Sequence, residues 1–70
     1  MNKYRVVSEW TVAPANQGQI VERATAYAEG PGGMVVRITR TVDRSDGQVC
    51  YYGPRGGKIP VGSVIESEED

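Results

Sequence analysis

The stretch "YYGPRGGKIPVG", residues 51–62, brings two tyrosines, an arginine and a lysine around a glycine–proline loop. Aromatic rings offer faces for stacking, and the cations offer charge and hydrogen-bond donors to an anionic group. The stretch does not match a phosphate-binding loop, because Lys58 is followed by Ile-Pro and not by the Ser or Thr that opens a helix. Its chemistry is therefore that of a binding surface or of a hairpin turn, in which glycines allow positive φ.

Residues that commonly perform catalysis or hold metals are scarce in this chain. Histidine is absent and Cys50 is the single cysteine, which removes histidine bases, Ser-His and Cys-His nucleophile pairs, and zinc sites within one chain. Asp43, Ser45 and Gly47 alternate as the ligands of a calcium loop do, but no bidentate glutamate follows at the required spacing. A hairpin turn explains them better. We therefore expect no enzymatic activity, no catalytic residue, no metal site and no cofactor.

Length and composition indicate one small domain with a small core. The chain has 70 residues and no phenylalanine, so its large apolar anchors are Trp10 and some of the four tyrosines. A core of this size rarely supplies more than about 3–5 kcal/mol of stability, and homodimer formation is one way to add to it. The first residues hold no apolar run long enough for a signal peptide or a membrane span. With a lone cysteine, this predicts a cytoplasmic, reduced setting.

The net charge of −1 is unevenly distributed along the chain. Residues 1–65 hold all eight Lys and Arg and five of the acids, whereas "ESEED" at 66–70 adds four acids. We interpret 1–65 as the compact domain and 66–70 as an acidic disordered tail. Sheets that stack nucleic-acid bases usually belong to far more basic domains, which makes a protein the more expected partner.

The hydrophobic pattern predicts strands towards both ends of the chain. Residues 4–12 alternate as in a half-buried strand. Their apolar side chains share one parity: Tyr4, Val6, Trp10 and Val12. Residues 34–42 also alternate and are expected to pair with "QVCYY" through a hairpin turn at Asp46-Gly47. The last strand, "KIPVGSVI", contains a proline and a glycine and is therefore expected at an edge or as an irregular strand.

Residues 19–29, "QIVERATAYAE", decide the predicted fold class. At about 100° per residue, their apolar side chains fall within an arc of about 120°. These side chains are Ile20, Val21, Ala24, Tyr27 and Ala28. The alanines favour a helix, and Gly30-Pro31 is a good stop signal. We therefore predict a helix over 17–29 and an α+β fold of order β-α-β-β-β, with the helix packed on an antiparallel sheet of about four strands. The alternative is an all-β small barrel in which 19–29 is a strand.

The predicted hairpin places its two tyrosines on opposite faces of the sheet. A two-residue loop pairs Val42 with Tyr51, and a four-residue loop pairs Val42 with Val49. Because these registers differ by two residues, both place Tyr51 on the core face and Tyr52 on the outer face. Arg40 shares the core parity, where it can reach the sheet edge or cover Tyr51 by a cation–π contact.

The candidate binding residues are those that this facing brings to the outer side of the sheet or to its rim. They are Val35, Arg37, Tyr52, Arg55 and Lys58. Tyrosine and arginine are the residue types that most often anchor protein interfaces. We therefore predict a non-enzymatic module that binds another protein, of the accessory or inhibitory kind common in phages and mobile elements. Nucleic-acid binding by the same residues is the alternative; neither a membrane nor a small-molecule substrate is expected.

Overall fold

A computed structural model describes residues 3–14 and 17–66 of the chain. The described residues form seven strands: β1 (Tyr4–Val6), β2 (Thr11–Val12), β3 (Val21–Glu29), β4 (Val35–Asp43), β5 (Val49–Tyr52), β6 (Lys58–Ile59) and β7 (Val64–Ile65). Short 3-10 turns occur at Pro31–Gly33 and Val61–Ser63. One sheet joins the strands in the order β6-β5-β4-β3-β1-β7, and β2 pairs with β3 beside β1.

The sheet curls into a nearly closed barrel. Its neighbouring strands are antiparallel except β1 and β7, which run parallel with Tyr4 opposite Val64. The two edge strands, β6 and β7, are separated only by Pro60 and the turn at Val61–Ser63, which keeps the edges close together. The last predicted strand is thus split in two, as the proline and glycine suggested. The α+β prediction is wrong, because the described residues contain no α-helix and form the all-β barrel instead.

The helix predicted over 17–29 is wrong: most of this segment forms β3, in which buried alanines alternate with more exposed residues. Ala24, Ala26 and Ala28 are 2%, 4% and 0% exposed, whereas Tyr27 between them is 52% exposed. Counting only large apolar residues hides this alternation, and alanine's helix propensity points the wrong way. Pairing with β4 over nine residues, and with β1 and β2 on the other edge, outweighs that propensity.

The first predicted strand is interrupted by a bulge between β1 and β2. Residues 7–10 oppose only two residues of β3, so the strand must bend there. The backbone of Tyr27 stays satisfied, because Val7 N donates to Tyr27 O (2.9 Å) and Tyr27 N donates to Ser8 Oγ (2.8 Å). The bulge ends at Trp10, which packs against the core.

The core fills the inside of the barrel. Its central cluster consists of buried Ala28, Ile38, Tyr51 and Ile59, and partly buried Tyr4, Val6, Trp10, Val36, Val49 and Val64 pack against it. The predicted inward facing of Tyr51 is confirmed. The hairpin has the four-residue loop, over 44–47: Val42 pairs with Val49, and Asp43 N donates to Gln48 O (2.9 Å).

Arg40 lies over Trp10 beside the core. Its Cζ is 4.3 Å from the Trp10 ring centroid, so the cation–π partner is Trp10 and not the expected Tyr51. The Tyr51 ring lies next in line, with centroids 6.2 Å apart. Arg40 Nη1 also donates to Glu66 Oε1 at 2.9 Å. Apart from Glu66, the predicted acidic tail lies outside the described residues.

Removing Arg40 should cost more stability than removing the charge of its ion-pair partner. Arg40→Ala removes the cation–π contact as well as the ion pair, and we expect a loss of about 1–2 kcal/mol. Glu66→Gln removes only a partly exposed ion pair, for which we expect less than about 1 kcal/mol. Urea denaturation of both variants measures the difference. Equal losses would show that the stack on Trp10 contributes nothing.

Candidate functional site

The outer side of β3, β4 and β5 carries the side chains that point away from the core. Those that form the candidate site, called here the outer face, are Arg23, Thr25, Tyr27, Arg37, Thr39, Thr41, Cys50 and Tyr52. None of them is buried; Arg23, Tyr27 and Arg37 are exposed, and the others are half-buried. The face therefore presents two tyrosines and two arginines to whatever approaches the sheet.

Strand register arranges the outer face in rows across the sheet. Its central row runs from Thr11 through Thr25 and Thr39 to Tyr52. On one side of this row Tyr27 stands opposite Arg37, and on the other Arg23 stands opposite Thr41, which faces Cys50. Opposite side chains in such rows lie about 5 Å apart. The aromatic and cationic groups thus surround a small, neutral threonine centre.

A shallow groove of about 660 Å³ follows the β4–β5 part of the outer face. Its floor and walls are Val21, Arg23, Thr39, Thr41, Asp43, Gln48, Cys50, Tyr52, Gly53, Pro54 and Gly56. A second groove, of about 360 Å³, continues beyond Pro54 to Thr25 and Arg37. The positive φ of Gly56, 86°, allows the loop after Tyr52 to make its tight turn at the groove wall.

The electrostatics of the outer face are mixed and not strongly basic. Among the described residues Arg23 and Arg37 form no ion pair. Carboxylates stand at the two ends of the face, Asp43 opposite Val21 and Glu29 opposite Val35. Because these two arginines lie between two carboxylates, the face complements a partner surface with both acidic and basic groups better than a uniformly anionic surface.

Asp43 is held in its charged form by the hairpin turn. Ser45 Oγ donates to Asp43 Oδ1 at 2.6 Å, and Ser45 N donates to the same oxygen at 2.9 Å. These hydrogen bonds, the side-chain one first, hold the pKa of Asp43 below its ordinary value. The carboxylate at this end of the groove is therefore ionised at neutral pH.

The lowered pKa of Asp43 predicts a small pH-dependent contribution to stability. Such a group stabilises the fold above its unfolded-state pKa, and the contribution is lost as the pH falls through its folded-state pKa. Asp43→Asn should therefore be less stable than the wild type at neutral pH and equal to it in strong acid. Thermal unfolding of both chains along an acid titration measures the gap. A gap that persists in strong acid would mean that the charge of Asp43 is not its cause.

The five predicted site residues lie at four places in the structure. Tyr52 lines the main groove, and Arg37 lines the second groove. Val35 lies further along β4, opposite Glu29, and lines none of the described grooves. Lys58 stands opposite Tyr52 and extends the central row, but together with Arg55 it lines a separate groove of about 340 Å³ beside Tyr4 and Ile59. Tyr52 and Arg37 thus lie on the same face at adjoining grooves, and Arg55 lies apart from them.

Two members of the outer face, Arg23 and Tyr27, are absent from the sequence prediction. The helix assigned to 17–29 turned Tyr27 towards the core and left Arg23 without a place on the sheet. The signal that finds them is the alanine repeat at every second residue from Ala24 to Ala28, because it leaves the odd-numbered side chains on the other face.

No family model matches this sequence, and no curated protein or solved structure matches it. No helix within residues 3–14 and 17–66 is long and apolar enough to cross a membrane. In the same ranges, no group of three His, Cys, Asp or Glu side chains could hold a metal ion. The geometry of the outer face is therefore the feature from which a function can be inferred.

Proposed function

We propose that this chain is a non-enzymatic module that binds another protein through the outer face. The supporting observation is that Tyr27, Tyr52, Arg23 and Arg37 stand in adjoining rows on a sheet surface where none of them is buried. Tyrosine and arginine are the residue types that supply most interface hot spots. The protein acts in the cytoplasm, as an accessory or inhibitory factor of the kind that phages direct at host proteins.

The shape of the outer face suits a macromolecule better than a small molecule. Small ligands are usually bound in concave, mostly apolar pockets that enclose most of their surface. Here the main groove is shallow, runs along the sheet and is lined over β4 and β5 by Thr39, Thr41, Asp43, Cys50 and Tyr52, so its floor is not mostly apolar. A protein surface can cover such a groove and contact Tyr27 and Arg37 beyond it.

The charge of the outer face favours a protein partner over a nucleic acid. Nucleic-acid surfaces are recognised by clustered cations without acids among them, and their affinity falls steeply with salt. The outer face has Arg23 and Arg37, but Asp43 and Glu29 stand at its ends. The whole chain carries a net charge of −1. A nucleic-acid base could still stack on Tyr27 beside Arg37. The experiment must therefore distinguish binding of a protein from binding of a nucleic acid.

The experiment is affinity capture from the native lysate, with and without nuclease, read by mass spectrometry. The double variant Tyr52→Ala with Arg37→Ala should stay folded and lose the captured protein, because each truncation removes an anchor that typically contributes about 1–4 kcal/mol. The matched control is Lys3→Ala with Val61→Ala, a cation and an exposed apolar residue outside the outer face. It should capture the partner as the wild type does.

Three results would contradict the proposal. Capture by the double variant at the level of the wild type would show that the outer face is not the binding surface. Loss of capture by the Lys3 and Val61 control would place the surface elsewhere. Loss of every captured protein on nuclease treatment, with steep salt dependence, would replace the proposal by nucleic-acid binding.

A further inference from the structure

The edge of β4 is only partly covered by its neighbour β5. Pairing between the two strands runs from Val42 opposite Val49 to Thr39 opposite Tyr52, and it stops there. The chain then enters the turn between β5 and β6, where Gly53 N donates to Gly57 O at 2.8 Å. The first four residues of β4, Val35–Ile38, therefore have β3 on one side and no strand on the other; we call them the β4 edge.

Hydrogen-bond alternation directs the backbone groups of Val35 and Arg37 to the open side. In an antiparallel ladder, successive residues bond to opposite neighbours. Val7 N donates to Tyr27 O, so the odd-numbered residues of β3 bond away from β4. Asp43 N donates to Gln48 O, so the odd-numbered residues of β4 bond towards β5. Val35 and Arg37 share that parity, and no described strand pairs with them on that side.

The side chains of these two residues continue the outer face to the open edge. Val35 is 57% exposed, and Arg37 is exposed and forms no ion pair among the described residues. The groove that Arg37 shares with Thr39, Gly53 and Pro54 opens at the same place. Unpaired edge strands pair readily with other strands unless charge, proline or a covering element prevents it. Here a single arginine is the only charge on the edge.

We propose that an extended segment of the partner protein adds to the sheet as a strand antiparallel to the β4 edge. This inference rests on the proposed function and specifies its binding mode. The N–H groups of Val35 and Arg37 donate hydrogen bonds to the added strand, and their C=O groups accept hydrogen bonds from it. The residue opposite Arg37 is acidic and the residue two positions later, opposite Val35, is apolar. The segment therefore carries the pattern acidic, any residue, apolar.

The test uses a synthetic peptide of Thr and Val residues with Glu-Thr-Val at its centre, added to the 15N-labelled full chain. Amide hydrogen exchange of Val35 and Arg37 should slow by about tenfold or more on binding. N-methylation of the central Glu and Val blocks the N–H groups that face the β4 edge and should abolish binding. N-methylation of the Thr between them blocks an N–H that faces away and should leave binding intact.

Charge reversal tests the pairing of side chains. Arg37→Glu should weaken binding of the Glu peptide by about tenfold or more, and a peptide with Lys in place of Glu should restore it. No binding of the parent peptide, equal effects of the two N-methylations, or unchanged exchange at Val35 and Arg37 would each overturn the proposal. Exchange that is already slow in the free chain and depends on its concentration would mean that a second copy occupies the edge, which also overturns it.

Failure of the edge proposal can be distinguished from failure of the proposed function. Tyr27→Ala with Tyr52→Ala changes the outer face and leaves the β4 edge intact. If this variant loses the captured protein while the peptide tests fail, the outer face binds by its side chains alone. If it captures the partner as the wild type does, the proposed function fails as well.

Discussion

Ala26→Glu is expected to unfold the chain, whereas Tyr27→Glu at the next position leaves it folded. Ala26 is 4% exposed inside the barrel and stands opposite buried Ile38, so a carboxylate there has neither water nor a partner. Burying an unpaired charge costs several kcal/mol, as much as a core of this size supplies. Tyr27 is 52% exposed on the outer face, where a glutamate stays hydrated.

This pair of variants also distinguishes β3 from the helix that the sequence predicts. In that helix Tyr27 belongs to the apolar arc and Ala26 lies outside it, so the order of the two effects is reversed. Circular dichroism and the dispersion of amide resonances report whether each variant is folded. A folded Ala26→Glu beside an unfolded Tyr27→Glu would contradict the barrel.

Ile38→Ala is the second substitution with a large expected effect. Ile38 is fully buried and belongs to the central core cluster on β4. Truncating a buried isoleucine costs about 2–5 kcal/mol, through lost apolar burial and the cavity left behind. Since a core of this size supplies about 3–5 kcal/mol, most of the stability is lost. Urea denaturation, or failure to observe a folded baseline, measures the effect.

The matched control for Ile38→Ala is Val35→Ala on the same strand. Val35 is 57% exposed, so removing its methyl groups should change the stability by no more than about 0.5 kcal/mol. Both variants truncate a β-branched apolar side chain of β4 to alanine, and the main difference between the two sites is burial. Equal destabilisation of the two variants would mean that Ile38 does not lie in the core.

The β4–β5 hairpin could be predicted from the sequence because its signals are local. Large apolar residues alternate with polar ones along β4, and Asp46-Gly47 marks the turn. The facing of Tyr51 and Tyr52 followed from parity alone, whichever loop length formed. The same parity predicts that Tyr52 and Arg37 lie on one face of the sheet, as they do in the structure.

The rest of the barrel depends on contacts that have no local signal. The parallel pairing of Tyr4 with Val64 joins the two ends of the chain, and no short motif announces it. The alanines of β3 are buried on the inner side of the sheet, and Ala28 packs there with the larger side chains of Ile38, Tyr51 and Ile59 from other strands. Helix propensity depends on the residue type and not on packing against other strands, so the alanines favoured a helix in the prediction. The position of Arg55 depends on the path of a loop rich in glycine.

Cys50 offers the most direct test of the central claim, that the partner covers the outer face. It is a free, half-buried thiol that lines the main groove beside Thr41, and it is the only cysteine of the chain. Its rate of alkylation by iodoacetamide is measured in the free chain and in the purified complex with the captured protein. We expect Cys50 in the complex to react at least about tenfold more slowly than in the free chain, because the bound partner covers the groove and its thiol. A Cys50 that reacts in the complex as fast as in the free chain would contradict the account.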